Sequence, residues 1–144
     1  MITLFRILID ACGLSLREAA DFLDSREDSI MSWSSGRRGT PPGVIEELHE
    51  LLTRQTIAAQ HGADVIRKKM KRNGAPETVE IGIAADDHEA QGLGWPTVSA
   101  HAAVIGKMLA LRPSGAARRV VIVPRGSTPA TAKAADQHRS KAGA

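Results

Sequence analysis

Tyrosine is absent from this 144-residue chain, and phenylalanine and tryptophan occur only twice each. An aromatic core is thereby excluded; the core must be mostly aliphatic, and any small unit of the chain will have little of it. With a single cysteine, Cys12, no internal disulfide can form. Cys12 sits among Leu8, Ile9 and Leu14 with no base nearby, so it reads as a small buried hydrophobe, and a cytoplasmic address is expected. No run of about 18 apolar residues occurs, so no membrane span is expected. The opening run Met-Ile-Thr-Leu-Phe-Arg-Ile-Leu-Ile-Asp has no basic start and no cleavage site, and it is expected to be a folded helix, not a signal peptide. Also missing are a nucleophile–base pair, a Gly-rich phosphate loop and paired carboxylates at credible spacing, so no enzyme and no cofactor are expected.

What is present is a charge distribution. The net charge is only +3, yet Arg67, Lys68, Lys69, Lys71 and Arg72 fall within six positions, Arg37 and Arg38 are adjacent, and Arg125, Lys133, Arg139 and Lys141 lie near the end. Acidic residues gather elsewhere, at Glu46, Glu47 and Glu50 and at Asp86, Asp87 and Glu89. Polarisation of this kind suits a polyanion on one surface. Asp86-Asp87-His88-Glu89 lacks the spacing that converges ligands on one ion, so it reads as a polar loop and no metal is expected.

The densest information lies between Gly13 and Glu47. Ser15 and Glu18 form a Ser-x-x-Glu capping box, and Ala19, Ala20, Phe22 and Leu23 supply the buried face of the helix that follows. Ile30 and Trp33, three apart, give a second short helix its inner face, and Gly36 ends it. Arg26, Glu27, Asp28, Ser29 and Ser32 are expected on its outer side. Arg37 and Arg38 follow directly. A short helix delivered by a tight turn and flanked by arginines suits the major groove of double-stranded DNA.

These residues resemble the Xre/Cro-type helix-turn-helix family. Nine residues separate Leu23 from Trp33, and Trp-Ser-Ser-Gly-Arg resembles the family's Trp-Glu-x-Gly-[Lys/Arg]. The resemblance implies that Trp33 is a core residue fixing the second helix of the motif. It further implies that Glu27, Asp28 and Ser32 stand at base-reading positions, and that Arg17, Ser35, Arg37 and Arg38 lie where the family touches phosphates. Arg26 is the best single candidate for guanine. The chain departs from the family at Asp24, where the turn often has glycine, at Ser34, where glutamate is usual, and at the acidic pair Glu27 and Asp28.

Around this motif the periodicity predicts a first helix over 2–12, with Leu4, Ile7, Leu8 and Ala11 on one face, and a long helix from Val44 through about residue 72, stopped at 73–76. Val79, Ile81 and Ile83 alternate with Glu80 and Gly82, a half-buried strand. Thr97 to Leu111 reads as a helix with Val98, Ala102, Ile105, Met108 and Leu109 on one face, ended by Pro113-Ser114-Gly115, and Val120–Val123 as a second strand. The expected class is α+β: a helix-turn-helix domain over 1–59, a basic helical extension and linker over 60–76, a strand–helix–strand dimerisation module over 77–124, and a disordered basic tail over 125–144. This layout resembles the YdiL-like and anti-CRISPR-associated regulators, with Gly94-Trp95 before the helix as its sequence hook.

A strand–helix–strand unit buries little and leaves strand edges open, and a second copy would cover both; Trp95 is expected to pack within that module or at its interface. Two functions follow as expectations. The first is a homodimeric transcriptional regulator, a repressor on a palindromic operator. The second is an antitoxin-like module whose main partner is another small protein.

Overall fold

A computed structural model describes residues 1–73, 78–112 and 119–125. The expected helix stop at 74–76, the loop at 113–115 and the tail 126–144 lie outside the described residues, as do the side chains of Lys69, Lys71 and Arg72. The fold is dominated by helices and carries a small two-stranded parallel sheet. Among the described residues the order is α1 (Leu4–Cys12), α2 (Leu16–Phe22), α3 (Glu27–Ser35), α4 (Pro42–Asn73), β1 (Val79–Ile83), α5 (Asp87–Gly92), α6 (Val98–Ala110) and β2 (Val120–Pro124). Of these helices, none is long and apolar enough to cross a membrane.

Thr3 caps α1, accepting from the Arg6 N–H through its hydroxyl. The buried face of α1 is Phe5, Leu8, Ile9 and Cys12, whereas Leu4 and Ile7, expected inside, are 59% and 54% exposed. The helix is apolar on more than one side, and the largest ring decides its phase: Phe5 meets Trp33 of α3 edge-on at 5.7 Å. Ser15 and Glu18 make both halves of the capping box at the start of α2. Asp24 then adopts φ +48°, the left-handed conformation that glycine usually supplies, and Ser25 N–H bonds back to Ala20 O at 2.9 Å. The tight turn is thus built without glycine.

α4 begins at Pro42, where proline's missing N–H costs nothing. Its buried residues change character along the helix. Leu48 and Leu51 close the first core with α1, α2 and α3, while Ala59 and Ala63 belong to a second core with Ile81, Val104, Ile105 and Met108. The small residues let α6 come close: a Cβ at Gly62 would stand 2.6 Å from Met108 Sδ. In α6 the buried positions are Ala100, Val104, Ile105 and Met108; Ala102, expected inside, is exposed. The expectation that a second copy must cover the strand–helix–strand unit is corrected for its helix, which α4 of the same chain covers.

Gln55 lies between the two cores. It is fully buried, and its amide donates to Cys12 O at 3.0 Å and Ala100 O at 3.1 Å, joining the end of α1 to α6. Lys107 donates to Ala11 O at 2.5 Å, a cation on the carbonyl end of α1. Cys12 donates to Leu48 O at 3.6 Å, and burial pushes its thiol up to about 11, which keeps it protonated and inert.

Gly13, at φ +77°, ends α1 under the start of α6, and a Cβ there would lie 2.6 Å from Ser99 O. Gly13→Ala is expected to cost about 2–4 kcal/mol of stability, combining the left-handed penalty with overpacking against backbone. Urea denaturation checks this; an unchanged midpoint would mean that α6 does not rest on the end of α1.

The strands pair in parallel, with Val79 opposite Val120, Ile81 opposite Ile122 and Ile83 opposite Pro124. One face covers the second core. Val121 and Ile122 remain 47% exposed, and each strand of this two-stranded sheet keeps an edge with no partner strand among the described residues. Arg125, counted with the tail by sequence, is tied to the sheet end instead: its N–H donates to Ile83 O at 2.7 Å and its guanidinium is 4.0 Å from Glu89.

Candidate nucleic-acid interface

Arg26 is the N-cap of α3, though its side chain makes no capping bond, and the helix carries Glu27 and Asp28 in its first turn. Carboxylates there complement the partial positive charge of the helix N-terminus. Ile30 and Trp33 are buried as expected, and the outward stripe is Glu27, Asp28, Met31 and Ser35.

Ser32 does not belong to that stripe. It is only 2% exposed, because the chain folds back past Gly36 (φ +82°) and lays Arg37 over it. Arg37 donates to Ser32 Oγ at 2.6 Å, and Arg38 donates to Ser29 Oγ at 3.1 Å. Ser35 Oγ donates to Ser32 O at 3.3 Å and accepts from the Arg37 N–H at 3.4 Å, so it shapes the same turn. The expectation of Ser32 on the outer side is therefore corrected: it lies buried beneath Arg37, and half-buried Ser29 accepts from Arg38 in the same way.

The result is a recess of about 200 Å³ lined by Arg26, Asp28, Ser29, Ser32, Arg37 and Arg38. Among the described residues neither Arg37 nor Arg38 forms an ion pair, so the charge of neither guanidinium is neutralised by a salt bridge. Serine hydroxyls accept one N–H each and leave the remaining donors of each fork free. A pre-positioned pair of guanidiniums holds a phosphate with less ordering cost than two loose ones. Of the other sequence candidates, Arg17 on α2, Glu27 and Ser35 are exposed outside the recess.

Met31 was missed by the sequence reading. It is 58% exposed at the centre of the outward stripe. The signal was available: with Ile30 and Trp33 inside, residue 31 must face out, four residues from both Glu27 and Ser35.

The Asp86–Glu89 run, expected as a loop, is helical from Asp87 and its carboxylates have structural duties. Asp86 caps α5 by accepting from Glu89 N–H at 2.8 Å, Asp87 accepts from Val98 N–H at 2.9 Å, and Glu89 accepts from Ala85 N–H at 3.2 Å. His101 of α6 accepts from Ala84 N–H through Nδ1 at 3.1 Å; burial and then the Arg125 charge hold its pKa below the usual value. Trp95 packs against both cores of its own chain, and the Arg54 guanidinium lies over its ring at 5.7 Å while donating to Gly94 O at 3.2 Å. The chain matches no protein-family model and no curated protein.

Proposed function

We propose that this protein is a sequence-specific DNA-binding transcriptional regulator, a repressor that acts as a homodimer on a palindromic operator. In this reading α2 and α3 form a helix-turn-helix and α3 enters the major groove. The observation that carries it is the pairing of Arg37 with Ser32 and Arg38 with Ser29 beside an outward polar face of α3. The open edges of the β1–β2 sheet and the exposed Val121 and Ile122 support the second copy. Titration of the full-length protein onto duplex DNA over a range of salt concentrations tests the reading: log affinity falls linearly with log salt, and a selected sequence binds more tightly than random duplex. Salt-independent binding, or none, refutes it.

Arg26 is assigned to a base. It precedes α3, is exposed, and sits at the rim of the recess. Arg26→Ala is expected to cost about 1–3 kcal/mol on the selected sequence and much less on random DNA. Equal losses on both would make it a phosphate contact.

A second reading, the antitoxin-like partner of another small protein, rests on the exposed apolar side chains of Ile2, Leu4 and Ile7 and on the acidic pair Glu27 and Asp28, which repels phosphate. Stable co-purification of one unrelated chain from nuclease-treated extract, with no affinity for duplex, would favour it.

A further inference from the structure

Met31 places an apolar, flexible side chain at the centre of an otherwise polar helix face, 58% exposed among the described residues. A turn earlier on the same face stands Glu27; along the adjoining flank of α3 lies the arginine recess, which Asp28 also lines. Carboxylates repel phosphate, so if this face meets DNA its Glu27 end must look at base edges, while Arg37 and Arg38 take the backbone. Between the two, Met31 faces the groove floor. The major groove offers one apolar group there, the C5-methyl of thymine, and the usual partner of a carboxylate is the N4 amine of cytosine, whose edge, unlike adenine's, carries no N7 acceptor to repel it.

We infer that Met31 is a specificity-determining residue that packs on a thymine methyl, with a cytosine read by Glu27 close by. This rests on the DNA-binding reading above. One helical turn separates Glu27 from Met31, about 6 Å along the axis, which corresponds to roughly two base-pair steps. The half-site therefore carries its cytosine within about two base pairs of the contacted thymine. Met31 lies outside the core, and the inner face of α3 is held by Ile30 and Trp33.

The test begins with a duplex selected by the full-length protein from a random pool. Each thymine is then replaced in turn by deoxyuridine, which removes only the methyl group. One thymine in each half-site is expected to lose about fourfold in affinity, the equivalent of about 0.8 kcal/mol for one buried carbon. Met31→Ala, checked for an unchanged circular dichroism spectrum, binds the thymine duplex about as weakly as wild type binds the uridine one and does not distinguish the two. If every thymine can be replaced without loss, or if Met31→Ala keeps the wild-type sensitivity to uridine, the inference is overturned while DNA binding stands. If no duplex is enriched, both fall together.

Discussion

Replacing Val121 and Ile122 together by lysine is expected to yield a folded monomer whose affinity for a two-fold symmetric duplex is lower by about 10²–10⁴. Both side chains are 47% exposed on β2, one on each face of the sheet, and neither belongs to the second core. In a dimer joined through this sheet they would place like charges against each other and remove the apolar surface that pairs the copies. The loss comes from effective concentration: two reading helices held on one body bind the second half-site as an intramolecular event. Affinity for a duplex with one half-site should change little. Light scattering and titration of both duplexes check the result, and a variant that stays dimeric would move the interface to another surface. Deleting residues 77–144 is a poorer experiment, because Ala100 O is one of the two acceptors of buried Gln55 and Ala59 and Ala63 would be laid bare.

Arg37→Ala with Arg38→Ala is expected to weaken binding to selected and random duplex alike, by roughly a hundredfold for two charged hydrogen-bonding contacts. The salt slope should flatten by about one to two units, since each lost phosphate contact removes close to one released ion. Removing the supports alone, Ser29→Ala with Ser32→Ala, should keep the slope and lose a smaller part of the affinity, because the charges remain but their geometry is freed. Wild-type affinity and slope in the arginine double variant would show that the recess does not face DNA.

The parts of the fold legible in the sequence were those fixed by local chemistry. The Ser15–Glu18 capping box, the Ile30–Trp33 spacing, the Gly36 stop and the switch to alternation at Val79 each depend on a few neighbours, and each is found as read. What was misread depended on contacts distant in sequence. α1 has two apolar stripes, and local periodicity cannot choose between Leu4 with Ile7 and Phe5 with Cys12; Trp33 and Leu48 make that choice. α5 is too short to show a period, although Asp86 and Glu89 carried the cap that starts it. The packing of Ala59, Gly62 and Ala63 of α4 against α6 left no apolar period to read, because small residues mark a close approach only once the neighbouring element is in place.

In the candidate site the same division holds. The arginines were legible as charge beside a short helix. Their seating on Ser29 and Ser32 was not, because it depends on the chain reversing at Gly36, and helical spacing alone left Ser32 looking outward. Asp24 shows the converse: its departure from glycine looked like a flaw in the turn, yet its φ of +48° supplies the conformation the turn needs.

Selection of duplexes from a random pool by the full-length protein, followed by sequencing, tests the central claim most directly. The account predicts enrichment of a two-fold symmetric sequence whose half-sites are spaced by whole turns of the double helix, with the enrichment lost in the Arg37→Ala, Arg38→Ala variant. A pool that emerges with no enriched sequence, or the same enrichment from the arginine variant, would contradict it.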